Sequence, residues 1–456
     1  MWSTIPLTTS PVRSAKSASR QGSEHDSRDG VGKGSGVTAL LLSLGIDFGT
    51  SGVRAAVVDP QRHLCWDYRA GYLDLPAPDG WRQALFDLLG AMPETVRGRV
   101  GRVAIDATSA TVLLCNQAGK VLTSPLLYNC ACRESLETLS TLAPAHSPAA
   151  SATSSLAKLL WWHQTLPTAV WHQATYLLHQ ADWLSAQLHG QWGVSDYHNS
   201  LKLGYDVGAL CYPDWLLGQP WSILLPRVLA PGQVVGQVTA AVARRFGLSP
   251  RCQVVAGTTD SIAAFLAIGA STPGDGVTSL GSTLVIKLLS DRRVDASEYG
   301  IYSHRLGHRW LVGGASNSGG AVLEKFFDRG ALAALSQRID PTVATDLNYY
   351  PLVQPGERFP ISDPDLAPRL TPRPEDDAAF LHGLLVGIAR IEQRGYDLLA
   401  QLGASPLGQI YTCGGGAAND TWRQLRARLM PVPIKTAASV EAAVGSAYLA
   451  SGFAVG

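Results

Sequence analysis

Two segments of this 456-residue chain share one plan, and that plan constrains the fold more than any other feature. Leu41 to Ile46 and Val53 to Val58 are apolar runs joined by Asp47-Phe48-Gly49-Thr50-Ser51-Gly52. Gly276 to Leu280 and Leu284 to Leu289 are apolar runs joined by Gly281-Ser282-Thr283. Short apolar runs that meet at glycine and small hydroxyl residues read as strands entering a tight turn. Each unit leads into a meander and then into helices. In the first half these are a strand around His63 to Tyr68 and a helix over Trp81 to Leu89. In the second they are strands around Gly300 to His304 and Trp310 to Val312, then a helix over Ala378 to Leu402. The halves are too unlike in sequence to be a repeat, but their shared order predicts a duplicated α/β architecture with two facing turns. At roughly 100–200 residues per domain, the length also predicts two large domains.

Between these units, strands over Val103 to Ile105 and Val112 to Cys115 flank Asp106-Ala107-Thr108-Ser109. The Trp-rich stretch Ser151 to Asp206 reads as helical, with Gly190 closing one helix. Cys252 to Gly257 reads as a buried strand, and Thr258-Thr259-Asp260-Ser261 opens a helix over Ile262 to Ile268. Pro351 to Pro374 is expected to be a long surface excursion. A strand over Gln409 to Thr412 leads into Gly414-Gly415-Gly416-Ala417-Ala418-Asn419, and a final helix covers Val440 to Leu449. Residues 1–40 are rich in Ser and Gly and poor in aromatics, which predicts a disordered extension. A plastid transit peptide is the alternative, opposed by Glu24, Asp26 and Asp29.

Composition excludes several functions. A formal net charge of +1 with scattered basic residues gives no case for nucleic acid or an anionic membrane. The apolar run Val37 to Ile46 is too short to span a bilayer. Seven cysteines with no C-x-x-C pair fit free thiols in a reducing compartment, so a cytoplasmic location is expected. Cys130 and Cys132 with His146 have the wrong spacing for a zinc finger. Gly32-Lys33-Gly34 lacks the rest of a P-loop.

Four motifs carry chemistry. In Asp47-Phe48-Gly49-Thr50-Ser51-Gly52-Val53-Arg54, glycines and small residues let backbone N–H groups converge on phosphate oxygens. Asp47 at the entrance suits a magnesium ion that keeps several waters. Gly281-Ser282-Thr283 is a matching turn that would hold the same polyphosphate from the other half. Asp260 reads either as a helix N-cap or as a carboxylate base at the mouth of a cleft. The three glycines at 414–416 let a flat ligand lie on the backbone, with Asn419 on a base or ribose edge and Trp422 packed nearby. Taken singly, the first motif is also compatible with an ordinary hairpin bearing a solvated Asp47, and the last three with ordinary turns and caps.

In this order, DFGTSGVR at 47–54, GTTDS at 257–261, LGST at 280–283 and GGGAAN at 414–419 resemble the FGGY carbohydrate kinases, from about residue 41 onward. That resemblance implies two ribonuclease-H-like domains of the actin and hexokinase type with an interdomain cleft. They would comprise residues 41–267, with a returning helix at 441–456, and residues 268–440. It implies an enzyme that uses ATP and Mg²⁺. Asp260 would take a proton from the sugar, and Asp47 would organise the metal through water. Gly49, Thr50, Ser51, Arg54, Gly281, Ser282, Thr283, Gly415, Gly416 and Asn419 would line the nucleotide and its phosphates.

Further segments, Asp106 to Ser109, Ser195 to Lys202 and Ala315 to Gly320, look like the D-ribulose kinase group of cyanobacteria and plants. That likeness implies a product of D-ribulose 5-phosphate, with Ser109, Lys202 and Ser261 contacting the sugar. Leu127 to Arg133 stands where many relatives carry W-x-D-x-R, and the Met-His-x-Asp segment of xylulose kinases is absent, which counts against D-xylulose. The alternatives are a kinase for another ketose or polyol, or a non-catalytic nucleotide- or sugar-binding regulator. The presence of both Asp47 and Asp260 speaks against the regulator. The partners expected are a small sugar and ATP, with the chain a monomer or a dimer.

Overall fold

The computed structural model describes residues 42–72 and 77–452, so the expected disordered extension lies outside the described residues. The first sheet is seven-stranded. It contains β1 (Leu42–Phe48), β2 (Gly52–Val58), β3 (Leu64–Gly71) and β4 (Val100–Ala107). Two minor pairs follow: β5 (Val112–Cys115) with β6 (Tyr176–His179), and β7 (Val194–Asp196) with β8 (Arg227–Leu229). The first sheet resumes with β9 (Val234–Gln237), β10 (Gln253–Val255) and β11 (Thr258–Thr259), in the order β3-β2-β1-β4-β10-β9 with β11 also on β4.

The second sheet holds β12 (Asp275–Leu280), β13 (Leu284–Ser290), β14 (His304–Leu306), β15 (Arg309–Ala315), β16 (Gln409–Cys413) and β17 (Ile434–Thr436), in the order β14-β15-β13-β12-β16-β17. Each sheet thus sets an antiparallel meander beside strands joined in parallel. This is the duplication anticipated from the two strand-turn-strand units.

All of β1 is buried, as a near-continuous apolar run requires. It pairs antiparallel with β2 and parallel with β4, and the helix Ala442–Ala450 covers one face. The approach is so close that a Cβ on Gly45 would stand 2.1 Å from the Ala443 carbonyl oxygen. The strand also runs further than the expected Leu41 to Ile46. Asp47 and Phe48 are paired on both sides, with Arg54 and Asp106 opposite Asp47. The turn proper closes with Gly49 N–H on the Gly52 carbonyl at 3.0 Å.

One core fills the space between the first sheet and the helices Asp79–Ala91, Gln180–His189 and Ala240–Phe246. Another lies between the second sheet and the helices Asp377–Gln401 and Asp420–Leu429. A third cluster, including Ile262, Phe265, Val277, Leu289 and Leu449, joins the halves through the helices Asp260–Ile268 and Ala442–Ala450. Behind β12 and β16, Glu392 and Arg426 form a fully buried ion pair, with Oε1 accepting from Nη2 and Oε2 from Nε, both at 2.6 Å. Thr278 donates to Glu392, and Arg426 donates to Thr412.

One expectation needs correction, and a second is refined. Ser151 to Asp206 is mixed rather than helical, because β6 and β7 interrupt it and pair with partners elsewhere. Pro351 to Pro374 runs largely over the surface, as expected, but it is pinned to the core at a few points. Leu352, Phe359 and Glu357 are buried there, and the Glu357 carboxylate accepts from Ser316 Oγ at 2.6 Å and Asn317 N at 2.8 Å. A stretch with little ladder pairing is thus anchored by side chains. Among the described residues, no helix is long and apolar enough to cross a membrane.

Candidate active site

Three carboxyl groups meet at the C-terminal ends of parallel strands, the usual ligand edge of an α/β sheet. Asp47 of β1 stands in register with Asp106 of β4. Thr258 and Thr259 of β11 pair with Asp106 and Ala107, which brings Asp260 alongside as the first residue of its helix. The cap of that helix is Thr259, so Asp260 is not the N-cap allowed for above. Its Oδ1 accepts only the neighbouring Ser261 N–H, at 2.6 Å, and its side chain remains available to the cleft.

Asp106 is fully buried, and burial followed by the charge of Asp47 pushes its pKa well above the carboxylate range. Ser446 Oγ donates to its Oδ2 at 2.5 Å, and apart from the Asp47 carboxyl its Oδ1 has no partner. Asp47 is also raised by burial, opposed by Asp106 and by the Arg54 guanidinium at 3.1 Å. Burial raises Asp260 as well. The Ser261 amide opposes this, Asp47 adds to it, and Lys287 and Lys202 oppose it. Two buried carboxyls side by side, one with a spare oxygen, fit a hydrated divalent cation that completes its shell with water and phosphate oxygens. Among the described residues, no group of three or more His, Cys, Asp or Glu could cage a metal by itself.

The segment Ser195 to Lys202 braces this site. The Asp196 carboxylate accepts from His198 N, Asn199 N and Asn199 Nδ2, and Asn199 Nδ2 also reaches the Thr258 carbonyl. His198 Nε2 donates to the Arg305 carbonyl at 2.6 Å, so its Nδ1 accepts from the Thr258 hydroxyl at 2.7 Å. Burial lowers this imidazole to about 4, which keeps it neutral. The segment ends in a 3₁₀ turn, Ser200–Leu203, from which the half-buried Lys202 faces Asp260. Ser109 is half-buried in the turn after β4. The buried Lys158 pins that turn through Nζ bonds of 2.7 Å to the carbonyls of Ala110 and Leu127. Ser261 is exposed.

On the second sheet, three loops converge around Leu280. The turn Gly281-Ser282-Thr283 accepts from Gly320 N at 2.8 Å and from Ala321 N at 3.0 Å. A Cβ on Gly414 would lie 2.8 Å from the Leu280 backbone, whereas Gly415 faces open space. In the first half Thr50 and Ser51 are exposed, and Arg54 bridges Asp47 and Glu441. Asn419 follows the glycine run at the start of a helix. Its Oδ1 caps the helix Asp420–Leu429 by accepting from Trp422 N, and its Nδ2 donates to Ser336 Oγ at 2.9 Å, so the amide is already engaged. Trp422 is buried, with its indole N–H on the Leu385 carbonyl, and is unavailable for stacking on a nucleotide.

Sequence reasoning assigned no role to Asp106, Ser446, Lys287 or Glu441. Asp106 carried a signal, an acid directly after an apolar run as at Asp47. Lys287 carried one too, a lone charge inside Leu284 to Leu289.

Duplicated α/β lobes with acids at their junction and glycine-containing turns are an architecture of the actin and hexokinase type. The chain belongs to the FGGY family of carbohydrate kinases. The family's N-terminal domain profile matches residues 42–267 and its C-terminal domain profile residues 276–452. The xylulose kinase of Escherichia coli (strain K12) is 24% identical over 90% of this chain and 89% of its own length. The xylulose kinase of Streptomyces rubiginosus is 29% identical over 68% of this chain and 63% of its own, and the gluconokinase of Bacillus licheniformis 24% over 47% and 45%. This chain therefore spans less than two thirds of the length of the last two relatives. Among solved structures, xylulose kinase from Rhodospirillum rubrum superposes with a TM-score of 0.76 at 21% identity, covering 90% of this chain and 89% of that one. Plasmodium falciparum glycerol kinase with ADP gives 0.75 at 15% identity, covering 90% and 88%. At such identities the structural likeness establishes the fold.

Proposed function

We propose that the protein transfers the γ-phosphoryl group of ATP to the primary hydroxyl of a free ketopentose, D-ribulose foremost, yielding D-ribulose 5-phosphate and ADP. The observation that carries this reading is Asp260. It is a carboxylate at a helix N-terminus, free of capping duty, raised by burial and faced by Lys202 and Lys287. A base whose pKa is brought toward neutral is suited to accept the proton of a sugar hydroxyl.

In the reaction the sugar oxygen forms a bond to the γ-phosphorus and the bond from that phosphorus to the bridging oxygen of ADP breaks. The hydroxyl proton passes to a carboxylate oxygen of Asp260. Catalysis is by positioning and charge neutralisation, with no covalent enzyme intermediate. Mg²⁺, when bound, neutralises charge on the phosphates, and Asp47 and Asp106 would hold it, largely through water. Gly49 would border the phosphates; Arg54 and the amides of Thr50 and Ser51 would face their oxygens from one lobe, and the Gly281 to Thr283 turn from the other. Gly415 and Gly416 would border the nucleotide. Ser109, Lys202 and Ser261 would contact the sugar, and closure of the lobes would exclude water as a competing acceptor.

D-xylulose is the second reading, favoured because several relatives bear the name xylulose kinase. The test is ADP release coupled to sugar-phosphate detection with D-ribulose, D-xylulose, L-ribulose, ribitol, glycerol and gluconate. A kcat/KM for D-ribulose at least tenfold above the others supports the first reading, and the reverse order supports the second. ADP release without any sugar phosphate sinks both.

A further inference from the structure

We propose that Lys287, carried by the second sheet, is a positioning residue for Asp260: its ammonium crosses the cleft to anchor the first turn of the helix Asp260–Ile268 and to keep the carboxylate aimed and ionised. This inference rests on the reading of Asp260 as the base.

Lys287 lies in the middle of β13. Its neighbours Ile286 and Leu288 are fully buried in the core beneath the helix Asp377–Gln401. Strand alternation therefore turns Lys287 to the opposite face, toward the first half of the molecule. There its Nζ donates to the Ser261 carbonyl at 3.2 Å, a direct bond between the two family domains at the residue after the base. A helix N-terminus disfavours a cation, so the helix itself gives no reason for an ammonium here. The adjacent carboxylate does.

The titratable groups that bear on Lys287 come from several elements. They are Asp260, Cys413 of β16, His304 of β14 and His198 of the brace, while Lys202 faces the same Asp260. Asp260 is the carboxylate in that set. Burial lowers both histidines, so neither adds a competing charge near neutral pH. Burial also lowers Lys287, to about 8, with Asp260 as the largest opposing influence. The stem of Lys287 lines a cavity of about 120 Å³ with Tyr302 and His304, so a methionine is accommodated there without crushing a neighbour.

The experiment compares Lys287→Met and Lys287→Arg with the full wild-type chain, using D-ribulose and D-xylulose as substrates, ADP as the binding probe, and hydrogen exchange of residues 260–268 without sugar. For Lys287→Met the expected result is a kcat lowered about 10- to 100-fold, with KM and ADP affinity changed by less than about threefold and faster exchange confined to the start of that helix. Lys287→Arg should recover most of the kcat and the exchange protection. An unchanged kcat and exchange pattern in Lys287→Met overturns the inference. So does a variant that loses ADP affinity and exchanges faster throughout, since that marks a purely structural lysine. Asp260→Asn separates the two levels: an active Asp260→Asn removes the base itself, whereas an inactive one beside a fully active Lys287→Met removes only the role of the lysine. If wild type turns over neither sugar, the exchange comparison decides alone.

Discussion

Replacing Asp106 by Asn should stabilise the nucleotide-free, metal-free protein while impairing its activity. Asp106 is fully buried, and its carboxyl is raised well above the ordinary 3.8, first by burial and then by Asp47. A carboxyl raised on folding makes its full favourable contribution below the unfolded-state value and loses it as pH rises through the folded one. Each pH unit over which it must stay protonated, or be ionised while buried, costs about 1.4 kcal/mol. From 3.8 to pH 7 the ceiling is about 4 kcal/mol, because a group still protonated there costs no more than the protons it withholds. Asparagine has nearly the same shape. Its carbonyl accepts from Ser446 in place of Oδ2, and its NH₂ donates to Asp47, so no buried atom is orphaned. A net gain of no more than about 4 kcal/mol is expected at pH 7, shrinking toward zero as pH falls to 4. Calorimetry of EDTA-treated protein across that range measures it. Activity should fall about 10- to 100-fold through a weakened metal site. A variant less stable than wild type at pH 7, or a gain of equal size at pH 4.5, would refute the reasoning.

Asp260→Asn keeps the volume and the bond from Ser261 N, so ADP affinity should be preserved while kcat falls by about 10²- to 10⁴-fold; a loss under tenfold would remove Asp260 as base. Because burial raises Asp260 and the ionised form is the active one, kcat/KM should decline on the acid side at a pH above the ordinary 3.8, which a rate profile from pH 4 to 9 reads directly. A decline at 3.8 itself contradicts the assignment. Arg426→Met leaves Glu392 buried without its partner and should destabilise the second half by about 3–5 kcal/mol, seen as a lowered unfolding transition that ADP only partly restores.

The two strand-turn-strand units were legible because mostly buried strands read as apolar runs, and glycine and small hydroxyl residues occupy the turns that end them. Their helices were legible from period and caps. The ends of β1 and β4 were not, since the polar Asp47 and Asp106 stay in register through pairing with neighbours distant in sequence. The same long-range character hid the partners of the site. Ser446 reaches Asp106 across 340 positions, and Lys287 reaches Ser261 from the other sheet. Asn419 was read as a ligand for the nucleotide because a glycine run precedes it. Its amide also caps a helix, a local role that side-chain type alone does not reveal. Glu357 shows the opposite case, a charge in a proline-rich stretch that turns out to be the anchor of the loop over the Gly281 turn.

The helix Ala442–Ala450 has a consequence for biosynthesis. It covers β1, packs on the helix Asp260–Ile268 so closely that a Cβ on Gly445 would stand 1.7 Å from the Ala263 carbonyl oxygen, and bonds Asp106. On the ribosome, Asp106 emerges 340 residues before Ser446. At about 5–20 residues per second the delay is some tens of seconds. Throughout that interval the sheet face that this helix covers lacks its cover, and Asp106 lacks its Ser446 partner. A nascent chain therefore has its acids long before the lobe that holds them is finished, and assembly of the site is deferred until synthesis of this segment is complete.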